Sequence, residues 1–323
     1  MLSYSECQCI IEERIRQLEV INKNPSALYE PIGYILSLGG KRIRPVMTLM
    51  ACNLYTDDIT PAVNPAVAIE VFHNFTLVHD DIMDNAALRR NKPTVHAKWN
   101  NNIAILSGDA MQVVAYQLMC DTEPTQIKPL LDIFNTTALE VCEGQQYDMN
   151  FAKGGDVSLE DYLLMIELKT SALLAASLKI GALCGGASEP EAQKLYEFGR
   201  NLGLAFQIQD DYLDVYADQD LFGKTVGGDI AENKKTFLLI KALELANGEH
   251  AEALKNSFTK ANINEKVEIV RNIYNELDIP RMAKEKIAEF SERAFCYLSS
   301  LQVEETRKVI LIEMAQELMN REK

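Results

Sequence analysis

The sequence predicts an all-α protein folded as a single domain, and three observations predict it. Apolar positions recur at three- and four-residue spacing: Ile11, Ile15, Leu18; Val67, Val71, Phe75, Val78; Leu163, Ile166, Leu173, Leu174. That is the period of a helix with one buried face. Few segments alternate in the two-residue period of a strand. Ala, Leu, Glu, Lys, Met and Gln, all good helix formers, are plentiful, and no proline stands between Pro190 and Pro280. Long helices can therefore run through that region unbroken.

Clusters of Gly, Pro, Asn or Asp punctuate the chain at 22–27, 57–65, 85–101, 121–129, 153–158, 184–190 and 218–236. Each is a turn or loop signal, and the intervals between them suit about ten helices or more. No low-complexity stretch or long linker marks a boundary, so residues 1–323 are expected to form one domain.

Composition narrows the function classes. Hydrophobic residues make up 47% and charged residues 24%, ordinary for a globular protein. No apolar run reaches the ~20 residues of a membrane span. The first residues lack the basic-then-apolar order of a signal peptide, so a cytoplasmic protein is expected. Seven dispersed cysteines without a CxxC pair argue against a disulfide or zinc framework. A net charge of −15 excludes a generic nucleic-acid binder. Any anionic substrate must then be met by a local cluster of cations or by a metal.

The strongest chemical signal occurs twice. Asp80-Asp81-Ile82-Met83-Asp84 ends the apolar run AIEVFHNFTLVH, and Asp210-Asp211-Tyr212-Leu213-Asp214 ends GRNLGLAFQIQ. On a helix the first and last aspartates of DDxxD share a face, about 5–6 Å apart. Carboxylates that close repel one another and favour a hard cation; oxygen ligands without His or Cys select Mg²⁺. Mg²⁺ takes one or two protein carboxylates and completes its shell with water and phosphate oxygens. Two such helices facing each other would clamp a diphosphate.

Cations accompany the acids. Gly39-Gly40-Lys41-Arg42-Ile43-Arg44-Pro45 sets three cations beside two glycines, with Lys41 and Arg44 three apart and able to grip one phosphate. Arg89-Arg90-Asn91-Lys92-Pro93 begins five residues after Asp84. Lys169-Thr170 lies in the helical run MIELKTSALL, Gln207 stands three before Asp210, and Asp148 stands three after Gln145. His73 precedes Asp80 by seven, two turns along one face; alone such a histidine is more often core than ligand. Gly223-Lys224-Thr225-Val226-Gly227-Gly228-Asp229 with Asn233-Lys234-Lys235-Thr236 forms a Gly- and Lys-rich loop suited to closing over phosphates. It lacks the Walker A pattern.

This ordered set, from GGKRIRP through LVHDDIMD, LRRNKPTVH, GDAM, EGQQYD, ELKTSALL and FQIQDDYLD to GKTVGGDIAENKKT, resembles the trans-isoprenyl diphosphate synthases, or polyprenyl synthetase family, of the short-chain farnesyl and geranylgeranyl type. The likeness covers nearly the whole chain. It implies an isoprenoid-synthase-type helical bundle around a deep central cavity, usually a homodimer. It also implies head-to-tail condensation of isopentenyl diphosphate with an allylic diphosphate, assisted by about three Mg²⁺ ions. By matching positions, Asp80, Asp84 and Asp210 are the implied metal ligands, with Asp81, Asp211 and Asp214 in support. Arg89, Lys169, Lys224 and Lys234 are the implied partners of the allylic diphosphate; Lys41, Arg44, His73 and Arg90 those of isopentenyl diphosphate. Thr170 and Gln207 are expected to turn oxygens toward the developing cation, where fixed dipoles are worth most. Arg321 and Lys323 near the end match a basic tail that covers the isopentenyl site in some members; a frayed terminus is the plainer reading.

Product length is expected to be set along the helix before Asp80. Phe75 is bulky and Thr76 small, and the acidic motif carries no insertion, a pattern similar to C20-forming members. Phe72 lies one turn deeper and Tyr116 can intrude from another helix. C20 is favoured over C15, and ordinary core packing is the alternative reading of Phe75. A class I terpene cyclase usually has only one DDxxD and no GGKRIRP. A non-catalytic subunit characteristically loses acidic motifs, and both are intact here. A head-to-head synthase of the squalene type fits less well for the same reasons.

Overall fold

Ser3 opens the first helix, Tyr4–Arg16, with a capping box: its hydroxyl accepts from the Glu6 amide, and the Glu6 carboxylate accepts from the Ser3 amide. Similar logic recurs at Ser158, which caps Leu159–Ile166 with Asp161. The computed structural model describes residues 1–217 and 227–319. The protein is all-α, as the periodicity predicts; among the described residues the only strands are Leu88–Arg89 and Lys92–Pro93. These pair antiparallel across Arg90 and Asn91, both at positive φ (51° and 59°). That is the backbone of a tight hairpin turn, in a stretch the sequence marks only as a break.

Two compact units divide the chain. The first comprises Met1–Asn135, Ala176–Tyr196 and Gln302–Leu311. Its axis is the helix Thr60–Met83, whose residues from Pro65 to Phe72 are buried on every side. A helix apolar all round belongs in a core. At 24 residues it is about 36 Å long, and it delivers the first acidic motif at its C-terminal end. Pro61 and Pro124 fall at helix starts, where no backbone bond is lost. The helices Thr60–Met83 and Pro124–Ala152 thus begin inside stretches that the sequence marks as breaks.

A buried charge network fixes the entry to Ile43–Asn53. Arg42 sits at φ 51° as the cap and is turned inward. Its guanidinium donates to Glu12 (2.8 Å), Glu70 (2.6 Å) and the Leu36 carbonyl (2.6 Å). Glu70 also accepts from Asn74 at 2.9 Å. One of the three cations of GGKRIRP is therefore structural.

The second unit comprises Thr136–Ala175, Glu197–Leu301 and Ile312–Lys323. Its core packs Tyr162, Ile166, Leu204, Ile208 and Val215 with Phe237, Val270, Tyr274 and Phe290. Between Leu159–Ile166 and Ala172–Cys184 lies one π-helical turn, Glu167–Ser171, carrying Lys169 and Thr170. Such single turns concentrate at functional sites.

Close helix approach also depends on small residues. In the first unit a Cβ on Gly181 would lie 2.0 Å from the Thr48 carbonyl oxygen. Gly181→Ala gains about 1 kcal/mol of helix propensity, but overpacking two backbones costs about 1–3 kcal/mol. The expected result is a net loss of stability in urea titrations; a raised midpoint would show that the two helices separate freely.

Candidate active site

In the first unit, the acidic motif sits where Thr60–Met83 ends; the Asp84 amide donates to the Asp80 carbonyl at 2.8 Å. Asp80 is half-buried and Asp84 exposed, one turn apart, while Asp81 is only 1% exposed. Arg89, on the hairpin, forks onto Asp81: Nε donates to Oδ1 and Oδ2 at 3.0 and 2.9 Å, and Nη2 to Oδ1 at 2.7 Å. This bidentate pair neutralises the middle aspartate and ties the hairpin to the motif. The adjacent Arg90 turns the other way and donates to the Gly39 carbonyl. Gly40 lies against the Arg90 guanidinium at φ +130°, a backbone that residues with a Cβ rarely adopt, which is why glycine stands there.

The structure thus brings Arg90 onto the glycine corner that also carries Lys41 and Arg44. Lys41 is exposed, and its carbonyl accepts from the Tyr4 hydroxyl. Arg44 Nη1 lies 3.3 Å from His73 Nε2. Because arginine only donates, Nε2 accepts, which leaves the proton of a neutral ring on Nδ1. The electrostatics agree: burial, then Arg44, Arg90, Arg89 and Arg42, hold His73 well below the ordinary histidine value. Burial also lowers Arg44 and Arg90, partly offset by Glu70. The Arg44 Nε is buried without a hydrogen-bond partner. Within a chain of −15, Arg44 and Arg90 around a neutral His73 make a local positive site that Glu70 offsets only in part.

In the second unit, Asp210 and Asp214 are half-buried on Glu189–Tyr216, and Asp211 is 3% exposed. The same division appears: the middle aspartate turns inward. Here its partners are neutral. Tyr162 donates its hydroxyl to Asp211 Oδ2 at 2.6 Å, and Gln207 Nε2 donates to Oδ1 at 3.1 Å. Thr170 donates to Gln207 Oε1 at 3.1 Å. Burial and the Asp229 charge push Asp211 up to about 7, against the pull of Lys234 and its two donors.

Asp214 Oδ2 accepts from the Asp229 amide at 2.9 Å, which docks the short helix Gly228–Ala231 onto the motif. Lys234 pairs with Asp229 at 3.4 Å. Burial opposes its charge, but Asp229, Asp211 and Asp148 outweigh burial and raise its proton affinity. Lys169 pairs with Asp148 at 2.6 Å. Lys224 lies outside the described residues, as do Arg321 and Lys323.

Tyr162 and the tethering role of Asp229 escape sequence reasoning. An aromatic at helical spacing reads as core; Asp229, though inside a recognised motif, carries no spacing cue toward Asp214.

The residues expected to set product length form an aromatic chain in the first unit. Phe75 contacts His79 (centroids 4.8 Å) and Phe72 (5.5 Å); Phe72 contacts Phe134 (5.2 Å). Phe134, which the sequence did not single out, contacts Tyr116 at 5.1 Å. Tyr116 therefore reaches the stack through Phe134, with its hydroxyl donating to Asn135 at 2.8 Å. Thr76, half-buried, donates to the His73 carbonyl.

Among the described residues, no three or more His, Cys, Asp or Glu side chains gather as a complete metal cage. The donor set still fits Mg²⁺, which uses few carboxylates and relies on substrate oxygens.

A family model described as polyprenyl synthetase matches residues 25–277. A short chain isoprenyl diphosphate synthase of Methanothermobacter thermautotrophicus is 39% identical over 300 residues, covering 90% of this chain and 91% of that protein. A geranylgeranyl pyrophosphate synthase of Geoglobus acetivorans is 36% identical over 317 residues, covering 97% and 96%. A crystal structure of a geranylgeranyl pyrophosphate synthase is 43% identical, with a TM-score of 0.94 and full coverage of both chains.

The lowered His73 value has a testable sign. Below the ordinary value of 6.5 the unfolded chain binds a proton that the folded chain refuses, so stability falls as pH falls through that range. Urea midpoints compared at about pH 7.5 and about pH 5.5 should drop more for the native chain than for His73→Gln. Equal drops would show a histidine that protonates normally.

Proposed function

The chain belongs to the polyprenyl synthetase family, and on that premise we propose that it condenses isopentenyl diphosphate head to tail with allylic diphosphates, ending at an all-trans C20 diphosphate. It is an enzyme, a trans-prenyltransferase. One observation supports the reading above others. Each DDxxD motif tethers its second aspartate inside the protein and keeps its first and last aspartates less buried, one helical turn apart.

Asp80, Asp84 and Asp210 would hold Mg²⁺, about three ions by family resemblance, with Asp81, Asp211 and Asp214 in support. The metal supplies charge stabilisation to the departing diphosphate. Arg89, Lys169, Lys224 and Lys234 bind that diphosphate. Lys169 and Lys234 are paired with Asp148 and Asp229, so each exchanges or shares a carboxylate when phosphate arrives. Lys41, Arg44, His73 and Arg90 bind isopentenyl diphosphate, and the unpartnered Arg44 Nε gains an acceptor there.

In the reaction, the allylic carbon–oxygen bond breaks. The isopentenyl double bond supplies the electrons of the new carbon–carbon bond, and a proton leaves to the released diphosphate. Thr170 and Gln207 turn oxygens to the allylic cation. A terpene cyclase needs only one diphosphate site; the separate cation cluster at Arg44 and Arg90 favours the condensing reading.

Residues 1–323 are read as one synthase domain, supported by full-length coverage of a solved relative. A homodimer is proposed from Asn101–Cys120, a helix that is apolar enough for a membrane span by composition and presents Ile105, Leu106 and Val113 exposed. Covering them with a second copy removes an apolar face from water. A cytoplasmic location goes with this reading.

The test is incubation with isopentenyl diphosphate, Mg²⁺ and, separately, C5, C10 and C15 allylic diphosphates, with products sized by mass spectrometry. C20 from all three, abolished by EDTA, is expected. A stop at C15 would place the floor higher, and diphosphate release without isopentenyl use would overturn the condensation. Phe75→Ala should lengthen products by at least one isoprene unit, to the Phe72–Phe134 layer. Unchanged length would make Phe75 ordinary core.

A further inference from the structure

We propose that Tyr162 is a positioning residue for the reaction, acting through Asp211 and Gln207 to orient the hydroxyl of Thr170. The inference rests on the cation-facing role given to Thr170 above; the chain of hydrogen bonds itself is independent of that role.

Tyr162 is 1% exposed on the helix Leu159–Ile166. Burial and the neighbouring Asp211 charge keep its phenol protonated, so it donates. Tyr162 and Gln207 bind different oxygens of Asp211, at 2.6 and 3.1 Å. Two donors on two oxygens fix the plane of a carboxylate, which one donor would leave free to rotate. The fixed carboxylate in turn sets the amide of Gln207. While Asp211 is ionised, the form that the Tyr162 donor favours, flipping that amide would set its oxygen against Oδ1, lone pair to lone pair. Gln207 Oε1 is then the acceptor on the other side, and the Thr170 hydroxyl must be the donor, at 3.1 Å. The single proton of that hydroxyl is committed to Gln207. Only lone pairs remain to face a ligand, the arrangement a developing cation requires. A helical threonine otherwise tends to donate back to its own helix.

The turn that carries Thr170 has little room to adjust. A Cβ on Gly144 would lie 2.3 Å from the Lys169 amide nitrogen, and a Cβ on Gly203 2.7 Å from the Ser171 Cα. Backbone packed on both flanks holds the π turn, so the direction of the hydroxyl depends on its hydrogen-bond partner.

The experiment is a double-mutant cycle on the full chain with Tyr162→Phe and Thr170→Val. Tyr162→Phe is expected to lower kcat about tenfold or more, as misorientation does. KM for both diphosphates should stay within about twofold. Thr170→Val should lose at least as much, and the double variant should be no worse than Thr170→Val alone, since both act through one hydroxyl. Multiplying losses, or an unchanged kcat in Tyr162→Phe, would overturn the proposal. If Tyr162→Phe does not fold, Tyr162→Met, which also lacks the donor and adapts to the space, replaces it with the same expectation and the same contradiction. A native chain that makes no prenyl product would overturn the proposed function as well. An active native chain with multiplying losses would sink only the role of Tyr162.

Discussion

The arrangement depends on keeping like charges together. Three carboxylates within five residues repel, and a helix cannot relieve this by moving them apart. The protein removes the middle one from the competition. Asp81 and Asp211 are buried, which leaves a pair at i and i+4 to meet a cation. The two tethers differ in chemistry. Asp81 receives a bidentate arginine, which neutralises it and anchors the Leu88–Pro93 hairpin. Asp211 receives two neutral donors, which together with Lys234 only partly oppose burial and the Asp229 charge, so its carboxyl is pushed up to about 7. A buried carboxylate satisfied only by neutral donors stays costly, and each remaining partner matters more.

The opposite problem is solved at the glycine corner. Arg42 is neutralised by Glu12 and Glu70 and belongs to the framework. Arg44 and Arg90 are not matched in the same way, and His73 among them is held neutral. In a chain of −15, this local excess is a place where an anion lowers the energy. The overall charge, which at first argues against a diphosphate substrate, is therefore a poor guide to what the site binds. The field that matters is set within a few ångströms by burial.

Much of this was legible in the sequence. The all-α fold follows from apolar periodicity, and both acidic motifs and their cations follow from residue type and spacing. What was not legible depends on direction and on distant partners. Nothing in GGKRIRP says that Arg42 is paired with Glu12 and Glu70 while the Arg44 Nε, also buried, is left without a hydrogen-bond partner. Tyr162 and Phe134 look like core aromatics because they are core aromatics, and their significance lies in what they touch, Asp211 and Phe72. The π turn at Lys169 has no local signature; it coincides with two glycines, Gly144 and Gly203, far from it in sequence. Helix starts at Thr60 and Pro124 were misplaced because proline reads as a breaker, although it is tolerated in a first turn.

The central proposal is a division of labour within the DDxxD motifs: Asp80, Asp84 and Asp210 for the metal, the buried Asp81 and Asp211 for the fold. The Mg²⁺ concentration giving half-maximal rate, measured for Asp80→Asn and Asp81→Asn beside the native chain, tests it most directly. The account predicts a rise of about tenfold or more for Asp80→Asn, which loses a ligand. For Asp81→Asn it predicts a change within about threefold together with a lowered melting temperature, because Arg89 loses its charged partner. A shift in Mg²⁺ dependence as large for Asp81→Asn as for Asp80→Asn, at unchanged melting temperature, would contradict it.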